Sequence, residues 1–173
     1  IDLVIRGRNS IARTISASNR AIAIDYFHRA LQRDSRCRDA KLGIAGALVG
    51  NLLDGWSGEP AADSLRAEQL LTQILHEDAD NALGHTYMGM LRRLQGRLND
   101  AKSAFEVAIT RAPNSVATIG QYAITLLFLG IQRQLAKVFD RLVHGPDDGA
   151  GHPPGVVQLP QEHQVLKILG RFQ

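Results

Sequence analysis

The sequence predicts an all-α fold, a solenoid of antiparallel helix pairs with four hairpins and a C-terminal helix. The first observation behind this is a recurring triplet. Ala101, Phe105 and Ala108 share one helical face, spaced four then three. Ala67, Leu71 and Ile74 stand 34 residues earlier, and Leu135, Phe139 and Leu142 stand 34 later. Ala23, Phe27 and Ala30 precede Ala67 by 44. A period in the thirties is the mark of a helical solenoid. The second observation is the punctuation of residues 82–115, with a glycine turn at Gly96 between two helical runs and a stop at Pro113. One hairpin cannot bury both of its apolar stripes alone, so stacked neighbours bury them jointly.

In chain order, residues 2–16 carry Leu3, Val4, Ile11 and Ile15 and read as a first helix. Ser18 or Asn19 caps the second, residues 20–33, through a side-chain oxygen that accepts from free amides. Residues 38–53 form a helix rich in small residues, with Gly43, Gly46 and Gly50 near one another. Each glycine costs about 1 kcal/mol of helix propensity, so close helix–helix contact is the expected reason, with a groove approached by a ligand backbone as the other. Residues 54–62, DGWSGEPAA, supply the ten extra residues of the longer interval. Trp56 there either folds back over the hairpin end or anchors a ligand. Residues 64–77 are the next helix. Asp80 or Asn81 caps the third unit and Ser115 the fourth. Residues 116–129 are so apolar that burial on more than one side is expected. Gly130 reads as a second turn glycine, followed by a helix over 132–144. Residues 145–158 are a loop rich in turn formers. Residues 160–171 return to a helical pattern, as a cap, an occupant of the groove, or a contact with another copy.

These residues resemble the tetratricopeptide repeat, a helix-turn-helix family with a 34-residue period. Gly89 matches its small helix-crossing residue, Gly96 its turn glycine, Ala101, Phe105 and Ala108 its second-helix signature, and Pro113 its closing proline. His85 and Arg92 depart from it, standing where aromatic residues are usual. The units fall at about 4–37, 38–81 with the insertion 54–62, 82–115 and 116–144. The resemblance implies a right-handed solenoid whose first helices line a concave surface. It places Leu42, Gly46 and Val49, then Leu83, Thr86, Met90 and Arg93, then Ala117, Gln121, Ile124 and Phe128 on that surface. The partner-binding set is therefore Leu42, Val49, Leu83, Thr86, Met90, Arg93, Gln121, Ile124 and Phe128, a mostly apolar face for a peptide or a partner helix. Some relatives clamp a peptide's terminal carboxylate with lysines and asparagines. Arg8, Ala12 and Gly43 hold three of the corresponding places here, so that pattern is absent. The phrases ALVGNLL and LRAEQLLTQIL around the insertion also resemble repeat segments C-terminal to bacterial class III nucleotide cyclases. That implies a regulatory or scaffolding piece of a cytoplasmic signalling protein. A homodimer whose groove is closed by self-association is the alternative.

Composition bounds the rest. The chain has 173 residues and a net charge of +3 with mixed signs, a weak case for nucleic acid. Its single cysteine, Cys37, excludes an internal disulfide. No apolar run approaches membrane-span length, and no signal-peptide pattern is present. The chain opens on Ile1 with no methionine and reads as a piece of a longer polypeptide. No cofactor is expected, since neither phosphate-loop motif occurs. His144, His152 and His163, with Asp147 and Asp148, lack metal-ligand spacing, and Cys37 has no histidine near it in sequence. Arg92, Arg93 and Arg97 form the densest basic cluster, read as a solvated face because Asp100 and Glu106 lie close. No enzymatic role is expected.

Overall fold

In a computed structural model, the described residues are 2–13 and 15–144, with side chains described as far as Asp140. Helices α1 (Asp2–Arg13), α2 (Ala17–Arg33), α3 (Arg38–Leu53), α4 (Pro60–Glu77), α5 (Ala82–Leu94), α6 (Leu98–Arg111) and α7 (Val116–His144) account for most of them, and there is no strand among the described residues. The chain divides into two compact units, residues 1–129 and 130–173.

In the first unit, three copies of the triplet are buried as the period requires: Ala23, Phe27 and Ala30 on α2, Ala67, Leu71 and Ile74 on α4, Ala101, Phe105 and Ala108 on α6. Sequential helices pack as antiparallel neighbours, α1 with α2, α3 with α4 and α5 with α6. Odd-numbered helices also stack directly, α1 on α3 and α3 on α5, so they form one layer and the even-numbered helices the other. The result is an all-helical solenoid.

Small residues make the close contacts, but against side chains. The Phe27 ring lies between Gly7 of α1 and Gly43 of α3, and a Cβ added at Gly7 would meet the ring at 2.5 Å. A Cβ at Gly89 would meet Phe105 at 2.9 Å, one at Gly46 would meet Tyr87 at 2.5 Å, and one at Gly50 the Arg20 guanidinium at 2.8 Å. Each glycine is therefore a seat for a large side chain, and the helix-propensity cost is offset by that packing. The expected groove for a ligand backbone at Gly43 and Gly46 is filled by the protein itself.

Turns and caps follow local chemistry, with corrections. Gly96 turns the chain at φ 77° and Gly55 does so at φ 69°, the left-handed region that favours glycine. Asn81 caps α5, its side chain accepting from the Gly84 amide at 2.8 Å. The cap of α2 is Ser16, accepting from Asn19 N at 3.1 Å, and not Ser18 or Asn19; those two lie inside the first turn. Proline at the first position starts α4 at Pro60, earlier than the expected residue 64.

The largest departure is at Gly130. No turn forms there, and α7 runs unbroken for 29 residues. The second unit's described part is the helix from 130 to 144, where every described side chain is exposed. Leu135 and Phe139 of the fourth triplet are exposed with the rest. The loop at 145–158 and the helix at 160–171 lie outside the described residues.

Candidate interaction surface

The first half of α7 docks on α5 and α6 through specific contacts. Phe105 meets the Tyr122 ring with centroids 6.5 Å apart, and the Tyr122 hydroxyl donates to Glu106 at 3.0 Å. Thr86 and Thr118 share a buried hydroxyl hydrogen bond of 2.9 Å. Thr125, fully buried, donates to the Gln121 carbonyl at 2.9 Å. These threonines satisfy their hydroxyls within the stack, which removes the cost of burying them.

The expected contact set divides in two. Leu83, Ile124 and Phe128 are exposed, and Met90, Arg93 and Gln121 are half-buried. Arg93 and Gln121 are brought together: Arg93 Nη2 donates to Gln121 Oε1 at 2.5 Å, and Nη1 to the Gln121 carbonyl at 3.4 Å. Leu42, Val49 and Thr86 are buried and are corrected here to core positions. Leu42 and Val49 belong to the main apolar cluster, because α3 is packed by α1, α2, α4 and α5 at once. Met90 also packs against that cluster.

The electrostatics single out Arg93. Arg92 pairs with Glu68 at 2.7 Å, and Gln95 donates to the same carboxylate at 2.9 Å. These bonds, Gln95 first, hold Glu68 below the usual carboxylate range. Arg97 pairs with Asp100. The basic cluster is thus split three ways and is not one basic face. Arg93 has no ion pair among the described residues, and burial lowers its pKa. A guanidinium in that state favours an incoming carboxylate.

Two residues were missed by the sequence reading. Tyr87 fills the space over Gly46, and burial raises its pKa; a tyrosine on the first helix of the best-matching unit was the available signal. Arg20 is mostly buried, pairs with Asp54 at 2.6 Å and lies 4.7 Å from the Trp56 ring centroid. Trp56 therefore folds back onto α2, held also by its amide donating to the Asn51 carbonyl at 2.8 Å. The cation that meets this ring is distant in sequence, and nothing in the local pattern points to it.

Among the described residues no cluster of His, Cys, Asp and Glu could hold a metal ion. No helix there is long and apolar enough to cross a membrane. His152, His163, Asp147 and Asp148 lie outside the described residues, as does the side chain of His144.

No family model matches the chain, and no curated protein matches it. Among solved structures it is similar to the second TPR domain of human RPAP3, determined in complex with the HSP70 peptide SGPTIEEVD. The TM-score is 0.52 at 18% identity, over 72% of this chain and 95% of that one. The chain therefore has a tetratricopeptide-like fold.

Proposed function

We propose that the protein is a peptide-recognition module whose odd-numbered helices present the binding face, with Leu83, Phe128 and Ile124 as apolar contacts and Arg93 as a polar anchor. The observation that carries this reading is the half-buried Arg93 guanidinium, which has no ion pair among the described residues and is bonded to Gln121 of α7, on helices that also carry exposed large apolar residues. Peptide-binding faces combine such apolar anchors with a few placed polar groups. The similar RPAP3 domain binds a peptide ending in acidic residues, which supports a segment carrying a carboxylate. The residues of a terminal-carboxylate clamp are replaced by Arg8, Ala12 and Gly43, so the carboxylate is read by Arg93 and Gln121 instead. The role is regulatory or scaffolding, in the cytoplasm, within a bacterial signalling protein; the likeness of residues 47–53 and 65–75 to cyclase-associated repeats supports this.

A displayed library of random 12-residue peptides tests the reading. Enriched peptides are expected to share apolar residues and an acidic one. Their affinity should fall at least tenfold with Phe128→Asp and with Arg93→Gln, while the far-ultraviolet circular dichroism is unchanged. Met90 is a poor probe because it packs on the core. Enriched peptides that bind both variants as well as wild type would overturn this surface.

A further inference from the structure

Helix α5 carries Leu83, Tyr87, Met90 and Leu94 at spacings of four, three and four, which is one helical face. One period of 34 later stand Ala117, Gln121, Ile124 and Phe128. These mark the same face of the first part of α7, since stacked repeats place equivalent residues alike. Leu83, Leu94, Ile124 and Phe128 are between 41% and 50% exposed, and Tyr87 and Met90 are half-buried. Leu94 is not among the expected contact residues and joins them through this spacing. From Leu83 to Leu94 the stripe runs about 16 Å, or about three helical turns.

An extended segment laid on this face would turn unpaired N–H and C=O groups toward it, and each needs a partner once water is excluded. Most polar side chains of α5 and of residues 116–129 are already committed. Thr86 and Thr118 bond each other, and Thr125 bonds the Gln121 carbonyl. Tyr122 donates to Glu106, Arg92 pairs with Glu68, and His85 Nε2 bonds the Ala79 carbonyl. That leaves Tyr87, Arg93 and Gln121, and the last two already bond each other. These three leave the backbone of a strand mostly without partners. A helix arrives with its N–H and C=O groups bonded internally, so it asks for apolar anchors and few polar ones.

We propose that this face receives an amphipathic helix, with large apolar residues at i, i+4, i+7 and i+11 set against Leu83, Leu94, Ile124 and Phe128, and with an Asp or Glu beside that stripe meeting Arg93. The inference rests on the peptide-recognition reading and names the class of its ligand. Anchors at that spacing share one face of a helical ligand, as recognition of a helix by an apolar surface requires. The carboxylate goes to Arg93 because Arg92, the other arginine of α5, is held by Glu68, while Arg93 has only the uncharged Gln121.

The test uses the full chain and three synthetic peptides of about 16 residues, a length of about four turns, blocked at both ends. Each has four leucines, one glutamate and otherwise alanine, lysine and glutamine. In the first, the leucines fall at i, i+4, i+7 and i+11. In the second, the same residues are rearranged so that leucine alternates with polar residues. The third is the first with proline in place of a central alanine, which breaks a helix. By fluorescence anisotropy the first should bind at least tenfold more tightly than the other two, with a gain of helical circular dichroism on mixing. Leu94→Asp should weaken that binding at least tenfold with helicity retained, and Leu65→Asp, at an exposed position of α4, should leave it unchanged. Equal binding of the second or third peptide, still lost with Phe128→Asp, would mean that the face takes an extended segment; this inference would fall while peptide recognition there stands. Binding that ignores both Phe128→Asp and Arg93→Gln would overturn the two together. No binding of the first peptide, whether the protein is a monomer or a dimer that covers this face with a second copy, would overturn the inference equally.

Discussion

Gly43→Ala is expected to destabilise the protein, although alanine is the better helix former, and to stop doing so once Phe27 is removed. The Phe27 ring is fully buried between Gly7 and Gly43, and an added Cβ at Gly43 would overlap it. Overpacking of this kind costs about 1–3 kcal/mol, against about 1 kcal/mol gained in helix propensity. Phe27→Ala alone should cost about 3–5 kcal/mol as a buried aromatic is deleted, lowering the melting temperature by on the order of 10 °C for a chain of this size. In that background the space at Gly43 is open, so Gly43→Ala should recover about 1 kcal/mol. Urea denaturation of the four proteins in the cycle measures the coupling. Additive effects, with Gly43→Ala equally harmful in both backgrounds, would show that the ring is not seated on that glycine.

Ala101→Arg should have the larger effect. Ala101 is wholly buried on the face of α6 that packs in the stack. A guanidinium there has neither room nor a carboxylate partner, and changes of this kind cost more than about 4 kcal/mol. Because stability in a stack is a sum over neighbours, loss of the α5–α6 hairpin also removes the support of Thr118, Tyr122 and Thr125. Helices α1 to α4 retain their own contacts. The expected result is partial loss of helicity at 25 °C, with amide protection surviving in α1–α4 and lost in α5–α7. A charge change at exposed Arg97, such as Arg97→Ala, should stay within about 0.5 kcal/mol. A wild-type melting curve for Ala101→Arg would contradict the assignment of that face.

The repeat was legible because its signal is geometric. Three buried triplets at fixed spacing leave little freedom in which helix faces meet, and the predicted residues are the buried ones on α2, α4 and α6. Gly130 misled because glycine permits a turn without forcing one. At Gly96 the turn is held by Gly96 N donating to the Arg93 carbonyl and Leu98 N to the Gly96 carbonyl, both at 3.0 Å. Gly130 lies between Leu129 and Ile131, and a helix tolerates it at about 1 kcal/mol. Exposure of the expected contact residues was legible only in part: on α5, Leu83 is exposed but Thr86 is buried. On α3 apolar residues surround the helix, so the repeat register put Leu42 and Val49 on the groove while contacts from four helices buried them. The Arg93–Gln121 pair, 28 residues apart, follows from stacking α7 on α5, which no local pattern reveals.

Peptide recognition on the odd-numbered helices has a direct readout in backbone amide shift mapping with a library-selected peptide. Perturbations are expected at Leu83, Arg93, Gln121, Ile124 and Phe128, with α2, α4 and the outer face of α6 unaffected. Saturable binding with the shifts centred on α2 and α4, or on the Trp56 loop, would contradict it.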